Sequence, residues 1–402
     1  MKKIIFFLID GIADKGKETP LRKASKRFIN GILDRSFLSY IYPLQKEYWP
    51  KYGETSVSGL ANLSILGYKI KPEKFKRGVY EAIGSKIKFK NNWLAVRINF
   101  ATVNEELKVI DRRAGRNTYG LDKIVKDLNK KIKLEVPYKI YHTLGHRGVL
   151  ILKGKLSDKI SENDPFDIGK KVKRVKPLDN SKIAQKTAEI LNKFLEQAHQ
   201  ILKNHPINLE RKQMDLLSAN YLLIREPGNK LLKLKNFFKK YKFKNGCVLA
   251  TNGVDKGTCL AIGFKEFTLK EAKNIDEEMK IIYQAFKTII KKNYQVVYIH
   301  LKKADEAAHD KDFKKKKYFF ERFDMIFQNI YTDHPEDIFV ITGDHITSTK
   351  TGKHHFGPVP LLIINSSIKN NPKEFSEFEA LKLGCYFKEN SQIWKFLYKN
   401  VS

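Results

Sequence analysis

Six residues of the types that hold divalent cations stand at the ends of apolar segments far apart in the chain, and a serine lies among them. Asp10 closes IIFFLI, and Ser58 sits in ETSVSGLANLSILGY. Asp305 and His309 fall in KKADEAAHD, Asp344 and His345 end VITGDH, and His354 comes just before PVPLLI. Hard side chains at the ends of buried strands are how a parallel sheet assembles a metal site from distant sequence. Asp305 and His309 are four apart, so one helical turn aims both from a single face. Asp344 and His345 can both turn inward where the strand IFVIT ends, and a histidine returns before the next strand. Taken alone, Asp10 would cap the following helix; in company with the others it becomes a bridge between metal and nucleophile. Ser58 likewise reads as a helix cap, and a cap hydroxyl sits where backbone N–H groups stabilise a phosphoryl anion. Metal coordination would ionise such a hydroxyl near neutral pH. Two ions about 4 Å apart would clamp the attacking and leaving oxygens of an in-line transfer. Carboxylate, imidazole and hydroxyl without thiol suit manganese, magnesium, zinc or cobalt.

A second set is basic. IDRRAGRN carries Arg112, Arg113 and Arg116 after an apolar strand, GHRGVLIL adds Arg147, and VDKGTCLAIG supplies Lys256. Guanidinium forks bind carboxylate and phosphate bidentately, so this set suits a small substrate bearing both groups.

The elements that must position these residues alternate at both ends of the chain. KKIIFFLID, NYQVVYIHLK, DIFVITGDH and VPLLIIN read as buried strands. TPLRKASKRFINGILDRS, EEMKIIYQAFKTIIKK and FKKKKYFFERFDMIFQNIY have helical spacing. Such alternation predicts an α/β core with a mostly parallel sheet flanked by helices. The middle differs: KIYHTLG and RGVLILKG read as short strands, SENDPFDIG as a loop, and a long helix spans about Ser181 to Lys203, ending before Pro206. This is an α+β insert over 111–218, inside a core of 1–110 and 219–402.

A chain of 402 residues, 42% hydrophobic and 12% aromatic, buries a sizeable core and is not a disordered one. Its formal charge of +33 raises a nucleic-acid partner, but the lysines are spread along the chain and not gathered into one block among stacking aromatics. A lysine-rich solvated surface is therefore expected and nucleic acid is not. MKKIIFFLIDG mimics a secretory signal, yet its apolar run is cut short by Asp10, and no stretch has membrane-spanning length. Three sparse cysteines (Cys247, Cys259 and Cys385) suggest reduced thiols and a cytoplasmic location. None of this sets an oligomeric state.

Read together, ANLSILGY, INFATV, IDRRAGR, HRGVLIL, ISENDPF, VKPLD, TAEILNKFLEQAHQILKNHPIN, ADEAAHD and TGDHIT…H…GPVPLLI resemble the archaeal-type 2,3-bisphosphoglycerate-independent phosphoglycerate mutases of the alkaline phosphatase superfamily, in family order along nearly the whole chain. The resemblance implies an alkaline-phosphatase-like core carrying the insert as a substrate-binding cap. One ion would be held by Asp10, Ser58, Asp344 and His345, and the other by Asp305, His309 and His354. The ions expected are Mn²⁺ or Mg²⁺, with Zn²⁺ or Co²⁺ as alternatives. Ser58 would be the nucleophile that takes the phosphoryl group, with Lys256 and Arg113 in the catalytic set. Arg112, Arg116, Arg147 and Asp164 would bind substrate. The activity implied is interconversion of 3-phosphoglycerate and 2-phosphoglycerate, in glycolysis and gluconeogenesis. Two alternatives within the segments are Thr55 or Ser56 in place of Ser58, and His355 in place of His354. Gly59 follows the serine where family members carry an acidic residue. That departure keeps a metal-dependent phosphomonoesterase or phosphonate hydrolase of the same superfamily as the alternative activity.

Overall fold

The computed structural model describes residues 2–49, 58–251 and 253–401. In chain order its strands are β1 (Ile4–Ile9), β2 (Ser36–Ile41), β3 (Leu94–Val103), β4 (Val109–Asp111) and β5 (Tyr138–His142). There follow β6 (Arg147–Leu152), β7 (Tyr221–Gly228), β8 (Gly246–Ala250), β9 (Lys265–Thr268) and β10 (Val296–Leu301). The last are β11 (Ile338–Thr342), β12 (Ile346–Thr347), β13 (His354–His355) and β14 (Val359–Ile364). The chain divides into two compact units, one within Met1–Phe75, Leu234–Thr251 and Thr258–Ser402, the other within Lys76–Lys233 and Asn252–Gly257.

The first unit is built on a seven-stranded sheet in the order β2-β14-β11-β1-β10-β8-β9. The run from β11 to β9 is parallel, and β14 is antiparallel to both its neighbours. Strands β1, β10, β11 and β14 are buried along their whole length, as continuous apolar runs require when both faces are covered. Alternate residues of β1 serve opposite layers. Phe6 stacks on Tyr298 and on Trp394 of the helix Ser391–Val401, with centroids 4.9 and 5.1 Å away. Phe7 packs edge-on against Phe323 and Phe327 of the helix Phe313–Asp333. Register then matters for chemistry. Ile9 lies opposite Leu301, and Leu8 opposite Thr342, so β1, β10 and β11 end at one level.

One local expectation is corrected. The helical segment from Thr19 to Ser36 forms two short helices, Pro20–Lys23 and Arg27–Gly31, followed by a tight turn. Lys26 is buried between them, and its ammonium donates to the carbonyls of Leu21 and Ala24, which a continuous helix would have used itself.

The second unit holds a five-stranded antiparallel sheet, β4-β3-β6-β5 with β7 also paired to β3. The residues read as an α+β insert lie within this unit. Leu94, Val96, Ile98 and Phe100 of β3 face a core shared with Leu121–Lys131 and the long helix Lys182–Lys203, whose N-cap is Ser181. Ala95 joins Val79, Ala82, Val149 and Ile151 on the opposite face, so Arg97 and Asn99 fall on that side too.

Candidate active site

In the first unit the common strand ends bring the sequence-predicted acids and histidines together. Asp10 follows β1, and Asp344 and His345 follow β11. His345 Nε2 lies 3.0 Å from Asp10 Oδ1, 3.3 Å from Asp344 Oδ2 and 3.3 Å from Ser58 Oγ. After β10, the helix Lys303–His309 carries Asp305 and His309 on one face, 3.2 Å apart, as their spacing predicts. The buried Glu278 carboxylate accepts the Lys302 and Lys303 N–H groups and so caps that helix's start. His354 Nε2 completes the second group, 3.0 Å from His309 Nε2 and 3.4 Å from Asp305 Oδ1. The two groups adjoin, for the His345 and His354 rings stack with centroids 3.9 Å apart. In the β12–β13 ribbon Thr347 pairs with His354 and Ile346 with His355, whose Nε2 turns instead to Thr351 Oγ1 at 3.2 Å.

Ser58 is the first residue of the helix Ser58–Ile65 and is buried. That helix is pinned from behind by Asn62, which donates to Thr258 Oγ1 and accepts from the Tyr298 hydroxyl. Thr55 and Ser56, the alternative nucleophiles, lie outside the described residues.

The chemistry of these donors fits divalent cations. His309 Nδ1 lies 2.7 Å from the Gly352 carbonyl, which can only accept, so Nδ1 carries a proton and Nε2 faces Asp305 and His354. Among the described residues, Asp10 Oδ1 is buried and faces only His345 Nε2, and His354 Nδ1 is buried without a hydrogen-bond partner. Burial alone would depress the His345 imidazole, yet the Asp344 and Asp10 carboxylates outweigh it and lift its pKa to about 10. Burial likewise raises the Asp305 carboxyl, but hydrogen bonds and charge from His309 and His354 hold it well below the usual carboxylate range. Both groups call for positive charge at converging lone pairs, and each gathers at least three ligand atoms within 4.8 Å of one another.

The second unit gathers the arginines. Asp164 is buried and takes Arg112 in a fork, Nε to Oδ1 at 3.0 Å and Nη2 to Oδ2 at 2.5 Å. Arg225 reaches the same carboxylate at 3.7 Å, and both guanidiniums lie over the Phe166 ring. Burial and the charges of Arg147, Arg113, Arg97 and Arg116 push the His146 imidazole down to about 2, so it is neutral. Arg97 is lowered to about 9 by burial and by Arg77 and Arg147, even though it donates to Glu226 at 3.2 Å. Burial is the larger cause of the lowering at Arg97, and the neighbouring guanidinium charges add to it; an anion placed among them would relieve both. The turn bearing Arg112, Arg113 and Arg116 is strained: Ala114, Gly115 and Arg116 have φ of 45°, 68° and 58°. Lys256 is fully buried on the helix Val254–Ala261.

Comparison with known proteins decides the family. Residues 50–208 match the family model described as 2,3-bisphosphoglycerate-independent phosphoglycerate mutase. The chain is 34% identical over 415 aligned positions to 2,3-bisphosphoglycerate-independent phosphoglycerate mutase 1 of Methanocaldococcus jannaschii, covering 98% of this chain and 96% of that one. With the enzyme so named of Archaeoglobus fulgidus it shares 36% over 410 positions, 95% of this chain and 93% of that one. The chain belongs to the 2,3-bisphosphoglycerate-independent phosphoglycerate mutases. Among solved structures, the PH0037 protein of Pyrococcus horikoshii matches at TM-score 0.73 and 25% identity, over 99% of this chain and 98% of that one. The cofactor-independent phosphoglycerate mutase of Thermoplasma acidophilum shares the fold at TM-score 0.62 and 23% identity, over the whole of both chains.

This phosphoglycerate mutase is therefore an isomerase, and its substrate is a small phosphorylated carboxylate. Among the described residues no helix is long and apolar enough to cross a membrane. Sequence reasoning missed several residues of the mutase's two clusters. His300, 3.7 Å from Asp10 Oδ2, is a polar residue inside the otherwise apolar strand β10, which is a readable signal. Thr347 Oγ1 lies 2.7 Å from Asp305 Oδ1 and 2.9 Å from His345 Nδ1. Arg77, Arg97 and Arg225 carry no spacing that would single them out in a lysine-rich chain.

Proposed function

We infer that this mutase interconverts 3-phosphoglycerate and 2-phosphoglycerate through a phosphoserine on Ser58. In this reading Asp10, Ser58, Asp344 and His345 hold one divalent cation, and Asp305, His309 and His354 hold a second. Bound there, the cations would lower the hydroxyl's pKa and neutralise charge on the transferring oxygens. The donor set of carboxylate, hydroxyl and imidazole favours Mn²⁺ or Mg²⁺, with Zn²⁺ or Co²⁺ as alternatives. Ser58 Oγ forms a bond to phosphorus as the bond to the glycerate oxygen breaks, and that oxygen takes up a proton. The glycerate's other hydroxyl then attacks the phosphoserine, releases Ser58 and loses its own proton. Arg113 and Lys256 offset phosphoryl charge, while Arg112, Arg116 and Arg147 hold the carboxylate and phosphate. Asp164 has both oxygens engaged by guanidiniums, so it aligns Arg112 and Arg225 and does not itself receive the substrate. Holding the glycerate through the second transfer separates a mutase from a phosphatase. As a glycolytic and gluconeogenic activity, the reaction would belong to the cytoplasm.

The observation that carries this reading is the Ser58 hydroxyl 3.3 Å from His345 Nε2, in the same group as Asp10 and Asp344. Rapid acid quench after mixing with 3-phosphoglycerate and Mn²⁺, followed by peptide mass mapping, tests it. Phosphate on Ser58 is expected. Phosphate on Thr55 or Ser56 contradicts the assignment.

A further inference from the structure

Arg211 lies on the helix Pro206–Gln213, is fully buried, and has no acidic partner among the described residues. A buried cation without a counter-ion is costly unless every donor is satisfied. Here each guanidinium N–H meets a backbone carbonyl. Nε donates to Leu217 O at 2.8 Å, Nη1 to Tyr119 O at 2.8 Å and Asn117 O at 3.4 Å, and Nη2 to Ala114 O at 3.0 Å and Asn117 O at 3.4 Å. Three of those carbonyls belong to the segment that follows Arg113.

The same segment contains the left-handed run Ala114, Gly115 and Arg116, with φ of 45°, 68° and 58°. Two of the three are not glycine, and such a run persists only when its surroundings over-determine it. Asp111 Oδ1 supplies one clamp by accepting the Arg113 and Gly115 N–H groups at 2.6 and 3.1 Å. Arg211 supplies the other by taking the carbonyls. Arg113, at the head of the run, interacts with Arg112, Arg116 and Arg147, all of the same sign. Like charges drift apart unless the backbone beneath them is fixed.

We propose that Arg211 is a positioning residue of the anion site, locking the Arg112–Arg116 turn from inside so that its guanidiniums converge with Arg147. The proposal rests on the reading that these arginines bind phosphoglycerate. A lysine cannot replace it, because an ammonium has three donors and no planar fork.

The test uses the full-length enzyme with Mn²⁺ and compares Arg211→Lys, Arg211→Met and Arg113→Gln by KM and kcat, with thermal melts to report folding. Both Arg211 variants should raise KM for 3-phosphoglycerate about ten-fold or more while kcat changes less, since a displaced guanidinium weakens substrate capture. A third variant, Arg211→Ala, is assayed with and without added guanidinium, which should lower its KM by filling the vacated space. Should Arg211→Met fail to fold at the assay temperature, Arg211→Lys and the guanidinium rescue decide. Parental KM in Arg211→Lys, or activity lost only in proportion to unfolded protein, overturns the role of Arg211. A raised KM in Arg113→Gln beside parental values in the Arg211 variants overturns Arg211 alone. Parental KM in Arg113→Gln overturns the substrate-binding reading and this inference with it.

Discussion

Replacing Thr347 with valine should weaken cation binding at both groups of the first unit. The hydroxyl is fully buried and touches a member of each, Asp305 Oδ1 at 2.7 Å and His345 Nδ1 at 2.9 Å. It has one hydrogen, and the carboxylate can only accept, so that hydrogen goes to Asp305. His345 Nδ1–H must then donate to Thr347, which leaves Nε2 facing Asp10, Asp344 and Ser58, where a cation would take the place of its proton. The backbone at Thr347 is held independently, since the buried Lys316 ammonium donates to the Thr347 and Ala13 carbonyls at 2.8 and 2.9 Å. Valine therefore keeps shape and place but leaves a buried N–H and a buried carboxylate oxygen unsatisfied. Each loss costs roughly 1–3 kcal/mol, and losing such an orienting partner typically lowers metal affinity about 10- to 100-fold. Calorimetric titration of chelator-treated protein with Mn²⁺ measures this directly. Thr347→Ser retains the hydroxyl and should stay within about three-fold of the parent. Two cations bound by Thr347→Val at parental affinity would refute the reasoning.

Other outcomes follow from the same geometry. Ser58→Ala should abolish turnover while the melting temperature holds, because Asn62, and not the Ser58 hydroxyl, pins the helix; retained turnover in an enolase-coupled assay would place the nucleophile elsewhere. Gly11→Ala should destroy cation binding by calorimetry: its φ is +63°, and an added Cβ would lie 2.7 Å from Thr347 Oγ1 and 2.9 Å from Asp305 Oδ1. Parental binding there would show that the strand end can yield. Burial raises Glu278, the cap of the Asp305 helix, to about 7, despite the Lys302 and Lys303 N–H groups that favour its charged form. A carboxyl so raised binds its proton more tightly in the folded state. Its contribution is full below the unfolded value near 4.5 and is lost as pH rises through about 7. Urea unfolding should therefore show the parent losing on the order of 3 kcal/mol relative to Glu278→Gln over that window, and parallel profiles would contradict it.

Much of the first unit was legible in the sequence because its chemistry is placed by strand ends. Apolar runs that stop at Asp10 and at Asp344 announce both the strand and the carboxylate it delivers to the cluster, and the four-residue spacing of Asp305 and His309 survives as a helix face. His354 was singled out by its distance to PVPLLI, and the structure brings it to Asp305 and His309, whereas His355, next to it in the β12–β13 ribbon, turns to Thr351. Less could be read where a residue acts by tertiary contact alone. Thr347 follows His345 by two residues and looks like any strand threonine. Arg97 looks like a solvent-facing interruption of LAVRINFATV, yet it is buried on the face of β3 where Val79 and Ala82 pack against Ala95. Arg211 has the helical neighbours of a surface charge, and only the fold brings the carbonyls of Ala114, Asn117 and Tyr119 to it. The helix expected between Thr19 and Ser36 failed for a related reason, because a buried Lys26 competes for its carbonyls.

The central claim is phosphoryl transfer to and from one serine without release of the glycerate. It is tested most directly by incubating the enzyme with 3-phosphoglycerate and Mn²⁺, without 2,3-bisphosphoglycerate, and following 2-phosphoglycerate by coupled enolase and inorganic phosphate in parallel. Formation of 2-phosphoglycerate with little phosphate is the predicted result. Phosphate release without 2-phosphoglycerate would contradict it and point to hydrolysis, the activity that Gly59 after the serine kept in view.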